Sequence, residues 1–264
     1  MYFKTALGNL YNEDCLKFLE KTDIQFDMVI TSPPYNIGKR YDVYDDRKSI
    51  REYYCWLNTI FTSIYNHLKP DGRLALNLLC DANFKLVDGD RVFFASDIWQ
   101  MLKKIGYKWA GFVELNEIVP HKSKLTAWGS WLSPSAPYIY NPKECVLLIY
   151  KDEWKKIEKK ETDITKKDKE EFIKITSGQW DYKADTKQIT EATFSLDIPL
   201  SVIKYLTWTD DLIYDPFSGS GTTALACEML QRKWIANEIS PNYCKKTKDR
   251  LQEYLLPERM KVFF

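Results

Sequence analysis

Apolar positions along this chain follow two rhythms. Short, nearly unbroken runs occur at FDMVITS (26–32), RLALNLL (73–79), KWAGFVEL (108–115), ECVLLIY (144–150), DLIYDPF (211–217) and KWIANEIS (233–240). Each has the length and character of a strand in a sheet covered on both faces. Between them apolar residues return every three or four positions: DCLKFLEK (14–21), KSIREYYCWLNTIFTSIYNHL (48–68), DIWQMLKKIGY (97–107), IPLSVIKYLTW (198–208) and TALACEMLQR (223–232). That period predicts helices with one buried face. Asp14 stands at a helix start, and Lys69-Pro70-Asp71-Gly72 reads as the turn that stops the longest helix. A strand, a helix and a strand in succession predict a parallel βαβ unit, because a parallel partner needs a crossover. Repetition of that unit predicts an α/β fold: a doubly wound, mostly parallel sheet.

Two stretches break the alternation. Residues 116–142 are irregular and rich in Trp, Ser and Pro, as in TAWGSWLSPSAPYIYNP. Residues 151–174, KDEWKKIEKKETDITKKDKEEFIK, carry nine lysines against eight acids. Such a run predicts a solvated helix or mobile segment; a flexible element closing on a polyanion is the second reading. These breaks divide the chain into 1–150, 151–190 and 191–264.

Composition narrows the class only a little. The 264 residues suit one α/β domain with an insertion, or two small domains. At 45% hydrophobic and 28% charged, the chain can build a full core. The net charge of +1 excludes no nucleic-acid partner, since a binder can be neutral overall and basic on one face. Aromatics reach 15%, with 9 Trp and 17 Tyr; they serve either as core or as stacking surfaces for flat ligands. The six cysteines, at 15, 55, 80, 145, 227 and 244, form no CxxC pair, so no zinc site is expected. MYFKTALGNLYNED lacks the apolar core of a signal peptide, and no run approaches the roughly 20 apolar residues of a membrane span. The expected location is the cytoplasm, with reduced thiols and no membrane contact.

Two short motifs carry chemistry. TSPPYN (31–36) follows the first buried strand. Proline fixes φ and lacks an N–H, so Ser32-Pro33-Pro34-Tyr35 should be a stiff, extended turn with carbonyls free to accept and its tyrosine held in one direction. DPFSGSGTT (215–223) follows a later strand and opens a helix. Gly219 and Gly221 would let a ligand approach the backbone, and the helix start offers free N–H groups. Glu238 closes the next strand, about 20 residues on, where an acid can hold ribose hydroxyls. Ala224 replaces the third glycine of the dinucleotide fingerprint, which leaves a dinucleotide open, and no Walker lysine is present. A ligand with a ribose and a carboxylate but no pyrophosphate, such as S-adenosylmethionine, suits Thr222 and Thr223 better.

Together, TSPPYN and DPFSGSGTT resemble the DNA amino-methyltransferases, which move a methyl group from S-adenosylmethionine to N4 of cytosine or N6 of adenine. The first motif precedes the second by some 180 residues, as in the circularly permuted β group. LYNEDCLKFL, LKPDGRL, TAWGSWLSPSAPY with ECVLLIYK, and NEISPNY extend the resemblance over most of the chain. It implies a Rossmann-like methyltransferase fold with 151–190 as a small inserted target-recognition region. Ser32, Pro33, Pro34 and Tyr35 would be catalytic. Asp14 would meet the cofactor's adenine; Asp215, Phe217, Gly219 and Gly221 would form the cofactor turn; Thr222 and Thr223 would lie near the methionine; Glu238 would take the ribose. ATFSLDIPL (192–200) keeps Phe194 and Pro199 of a further cofactor segment but lacks its His-Pro opening. Double-stranded DNA is the implied partner, a restriction–modification setting the implied context, and a cognate endonuclease a further partner.

The chemistry needs these residue types. An exocyclic amine is a poor nucleophile while its lone pair is delocalised into the ring. Ser32 Oγ and the Pro33 carbonyl can draw its hydrogens out of the ring plane, and the prolines hold both acceptors rigid. The base must first leave the duplex, and Tyr35 would stack on it. No cysteine follows a proline, which argues against C5 chemistry. SPPY favours N4-cytosine, with N6-adenine the alternative. Lys39 and Arg40 after the turn, and Lys122 and Lys124 beside His121, Trp128 and Trp131, would hold DNA. The rival classes are a methylase of RNA or protein glutamine, a non-catalytic DNA-binding module, and a nucleotide-binding oxidoreductase.

Overall fold

A computed structural model describes residues 1–83, 91–117, 133–135, 143–182 and 194–256. The first half holds β1 (Phe3–Lys4), β2 (Gly8–Tyr11), α1 (Cys15–Leu19), β3 (Phe26–Thr31), α2 (Ile50–His67), β4 (Leu68–Leu79), β5 (Ala82–Asn83), β6 (Arg91–Val92), α3 (Phe94–Ile105) and β7 (Lys108–Glu117). The second holds β8 (Glu144–Tyr150), α4 (Lys169–Thr176), β9 (Gln179–Tyr182), α5 (Asp197–Leu206), β10 (Leu212–Asp215), α6 (Thr222–Met229), β11 (Lys233–Asn237) and α7 (Pro241–Leu255).

One nine-stranded sheet runs in the order β1-β2-β11-β10-β3-β4-β8-β7-β9. Its centre, from β2 to β4, is parallel. β8 lies antiparallel between β4 and β7, and β9 returns parallel to β7 at the edge. β3 is buried along its whole length, as its unbroken apolar run requires. α1, α2 and α3 cover one face with Phe18, Tyr53, Leu57, Ile60, Ile64, Ile98 and Leu102. α5, α6 and α7 cover the other with Ile198, Val202, Ala224, Cys227, Cys244 and Leu251. The sheet is doubly wound, as the alternating pattern predicts.

The two halves of the chain interleave. β11 and β10, from the C-terminal part, sit between β2 and β3 from the N-terminal part. Neither half builds the large sheet by itself. α2 starts at a capping box in which Ser49 and Glu52 satisfy one another's backbone N–H groups. β4 begins at Leu68, so the Lys69-Pro70-Asp71-Gly72 turn is drawn into the start of the strand; Leu68 pairs with Phe26, and Lys69 Nζ reaches Asp27 at 2.7 Å.

The lysine- and acid-rich run takes an unexpected place. It crosses beneath the N-terminal ends of the strands. The Ile157 N–H bonds Asp71 at 2.8 Å, Arg73 Nη2 bonds the Trp154 carbonyl at 2.7 Å, and Lys160 reaches Asp211 at 3.0 Å. Arg232, fully buried before β11, pairs with Asp163 at 2.9 Å. α4 then returns along the outer face, where Lys204 of α5 bonds Asp168 and Glu171. Residues 151–168 therefore brace the pole opposite the C-terminal strand ends through Lys156, Lys160, Asp163 and Asp168, while most of the run faces solvent.

Candidate active site

The site lies where α/β geometry places it: at the carboxyl ends of the parallel strands, where neighbouring crossovers leave in opposite directions. β3 leads through α2 to β4; β10 leads through α6 to β11, on the other face. The two chemical motifs are the segments that leave these adjacent strands. A buried hydrogen bond joins them, from Thr31 Oγ1 to Asp215 Oδ1 at 2.7 Å. Between them opens a cavity of about 400 Å³, lined by Ser32, Pro33, Pro34 and Tyr35 on one side and by Phe217, Gly219 and Glu238 on the other. Residues far apart in the chain share one wall because their strands pair.

The glycine turn is shaped by left-handed backbone. Gly219 has φ +52° and Gly221 φ +73°, a region that favours glycine. At Gly221 an added Cβ would also stand 2.4 Å from Thr247 Cγ2. Thr247 in turn donates to the Gly219 carbonyl at 2.9 Å, so α7 clamps the turn. Glu238 accepts from the Gly219 N–H through one carboxylate oxygen and from the Ser240 N–H through the other, both at 2.8 Å. Burial nevertheless pushes its carboxyl up to about 7. Asp215 lies behind the turn, pushed up to about 6 by burial, and braces the Phe217 N–H at 3.1 Å.

Of the cofactor residues expected from sequence, Asp14, Phe194, Phe217, Gly219 and Glu238 line the cavity. Asp14 also caps α1, accepting the Leu16 N–H at 2.9 Å. Asp215, Gly221, Thr222 and Thr223 stand behind the wall. Both threonines are buried, and Thr222 Oγ1 accepts from Arg250 at 3.0 Å. They build the turn rather than face the cavity.

The proline turn is equally constrained. Tyr35 is only 4% exposed, its ring edge-on to Phe94 in the core. Its hydroxyl bonds Ser32 Oγ at 2.8 Å and accepts from Asn77 Nδ2 at 3.2 Å. The Pro34 carbonyl accepts from Tyr53 at 2.8 Å. The Pro33 carbonyl has no donor among the described residues. The tyrosine thus anchors the serine from behind, and little of its ring is left to stack on a ligand.

A loop over residues 36–48 closes one side. Asn36, at φ +58°, exchanges two 2.8 Å bonds with the Lys48 backbone. Buried Asp46 accepts from the N–H groups of Asn36, Ile37 and Lys39. The loop brings Lys39, Tyr41, Asp42, Tyr44 and Lys48 to the cavity, and Asp42 accepts from the Ser240 hydroxyl across it. Arg40 is exposed, does not line the cavity, and pairs through its backbone with Asp45 in an isolated antiparallel β-bridge. His121, Lys122, Lys124, Trp128 and Trp131 lie outside the described residues. Among the described residues no cluster suited to a metal ion occurs, and no helix is long and apolar enough to cross a membrane.

Sequence reasoning missed Trp56, Asn77, Glu144, Ser240 and Tyr243, all on the wall. Glu144 carried a faint signal, an acid opening an otherwise apolar strand at the cavity end. Ser240-Pro241 carried a clearer one, a cap residue followed by a first-turn proline.

A family model described as DNA methylase matches residues 26–249. The Type II methyltransferase M.MjaVI of Methanocaldococcus jannaschii is 38% identical over 179 residues, 68% of this chain and 87% of that protein. M.PvuII of Proteus hauseri, also a Type II methyltransferase, is 25% identical, covering 91% of this chain and 82% of its own. Among solved structures, PvuII DNA methyltransferase, described as cytosine-N4-specific, superposes with a TM-score of 0.70 at 23% identity over 99% of this chain and 92% of its own. The M1.HpyAVI–SAM complex gives 0.63 at 19% identity, with 93% and 99% covered.

Proposed function

The chain belongs to the DNA methylase family, and from that premise we propose that it methylates N4 of cytosine in duplex DNA, with S-adenosylmethionine as methyl donor. One observation carries the reading: Ser32 with the Pro33 carbonyl, and Glu238 with the glycine turn, face the same cavity of about 400 Å³.

The donor's chemistry suits the second wall. Glu238 keeps lone pairs beyond those its two backbone N–H groups use, and these suit a ribose diol. Phe217 and Trp56, with ring centroids 5.6 Å apart, offer apolar surface for a purine. S-adenosylmethionine, when bound, supplies a methyl group on a positively charged sulfur. The protein's work is on the other reactant. Ser32 Oγ and the Pro33 carbonyl accept the two amino hydrogens, which pulls the nitrogen lone pair out of conjugation. Tyr35, fixed by Asn77, holds Ser32 in place, and Tyr53 holds Pro34. Lys39 and Lys48 at the mouth suit phosphates beside an extruded base.

The serine opening of SPPY and the cytosine-N4 specificity printed for PvuII DNA methyltransferase support cytosine over adenine. Relatives named as Type II methyltransferases support a restriction–modification role with a cognate endonuclease. The test is transfer of tritiated methyl to mixed-sequence duplex DNA, followed by digestion to nucleosides, with Ser32→Ala run alongside. Labelled N4-methylcytosine, reduced about 10²-fold or more in Ser32→Ala, is the expected result. Labelled N6-methyladenine would overturn the choice of base, and no label on DNA would overturn the activity.

A further inference from the structure

Amine methylation releases a proton, and the proline turn has nowhere to keep it. Neither a serine hydroxyl nor a peptide carbonyl holds an extra proton near neutral pH. A carboxylate does.

Glu144 is the first residue of β8, directly across from Leu79 at the end of β4. It lines the same cavity as Ser32, Pro33, Tyr35 and Asn77. Its Oε2 accepts from Asn77 Nδ2 at 2.8 Å; the same nitrogen donates to the Tyr35 hydroxyl at 3.2 Å, and that hydroxyl bonds Ser32 Oγ at 2.8 Å. A carboxylate only accepts, so it fixes which end of the Asn77 amide turns toward it. Asn77 Oδ1 is left buried with no partner among the described residues. That orphan is a cost, and the amide directs its nitrogen both ways, donating to Glu144 and to the Tyr35 hydroxyl. After burial, the charge of Glu144 is the main influence holding the Tyr35 hydroxyl well above its ordinary pKa, so the carboxylate is felt at the motif.

The other acids on the wall have tasks at the donor end. Glu238 holds two backbone N–H groups, Asp14 caps α1, and Asp42 takes the Ser240 hydroxyl. Glu144 is the acid at the serine end.

We propose that Glu144 accepts the proton released by the target amine. This rests on the methyl transfer proposed above. The nitrogen lone pair forms the N–C bond as the C–S bond breaks, and the C–S electron pair stays on sulfur. The N–H bond then breaks, its pair returns to nitrogen, and the proton forms the carboxylic acid of Glu144, which later yields it to water. An anion beside the amine also favours the positive charge that grows on nitrogen as it attacks.

The experiment uses the full chain, S-adenosylmethionine and duplex DNA under single-turnover conditions. Donor affinity by calorimetry and the melting temperature are read in parallel. Glu144→Gln should slow methyl transfer about 10²-fold or more, with donor affinity within about threefold of wild type and melting unchanged. Glu144→Ala should be as slow and regain rate with added formate, but not with chloride at equal ionic strength. Should Glu144→Gln fold poorly, Glu144→Ala with formate carries the test. A rate within about threefold of wild type in Glu144→Gln, or a Glu144→Ala rate that ignores formate and is matched by Asn77→Ala, overturns the proposal; the second result would leave Glu144 a positioning residue. A wild-type protein that labels no DNA is a failure of the methyl transfer reading and is recognised before any variant is compared.

Discussion

Acid should weaken donor binding through Glu238. Burial raises this carboxyl from its ordinary 4.5 to about 7. A ribose diol donates hydrogen bonds, so the ionised form is the better acceptor. With a pKa near 7, about nine-tenths of the groups are ionised at about pH 8 and about one-tenth at about pH 6. The apparent dissociation constant for S-adenosylmethionine should therefore rise about tenfold across that window, or about 1.4 kcal/mol. Stability of the unliganded protein should move the other way. Because the folded state keeps a proton that the unfolded chain has released, this group's contribution to stability is lost as pH rises from about 4.5 to about 7. Calorimetric titration of wild type and Glu238→Gln at both pH values, at fixed ionic strength, reads the first effect; urea melts read the second. Glu238→Gln should bind weakly with a flat pH profile, since its amide would set an N–H against that of Gly219 or Ser240. A wild-type affinity that is constant over the window, or a slope that survives in Glu238→Gln, would refute the reasoning. Asp215 and Asp46, the other acids raised by burial among the described residues, do not line the cavity.

Three further outcomes are expected. Gly221→Ala places a methyl against Thr247 at positive φ and should cost about 1–3 kcal/mol in a urea melt; adding Thr247→Ser, which removes the crowding Cγ2 but keeps the hydroxyl, should recover part of it. Asp211→Ala strips Lys160 and Lys156 of a fully buried partner and should cost about 3–5 kcal/mol while donor affinity stays unchanged. Lys39→Ala should lessen the salt dependence of DNA binding by about one counterion, whereas Lys156→Ala should leave it alone, as read by fluorescence anisotropy over a salt series.

Much of the fold was legible because it depends on periodicity. The runs at 26–32, 73–79 and 144–150 became β3, β4 and β8 because central strands must be apolar on both faces. β1, β2 and β9 escaped notice; each is short and lies at or near a sheet edge, where half the residues face water and no run forms. The site was legible where backbone demands a residue type, as at Gly219, Gly221 and the prolines. It was not legible where a side chain earns its place by a tertiary partner, as with Asn77 and Glu144. Tyr35 is the instructive case: the resemblance gave it a stacking role on an extruded base, and nothing in the sequence told that its hydroxyl would bond Asn77 while its ring sits edge-on to Phe94.

The lysine- and acid-rich run is mostly solvated, as its composition predicts, but composition does not say which of its charges meet a partner. The sheet supplies the reason for it. β8 runs antiparallel to β4, so the chain leaves it at the N-terminal pole, while β10 and β11 must still be delivered between β2 and β3. A chain with its motifs in this order has to pass beneath strands it has already built. Strand starts present unpaired backbone and acids such as Asp27, Asp71 and Asp211, and a crossing segment that carries Lys156 and Lys160 can satisfy them. β7 and β9, by contrast, finish at the cavity pole, and β8 starts there. The 151–168 run braces the protein at the opposite pole. Neutralising lysines of the 151–168 run should change its stability and leave its sequence preference intact.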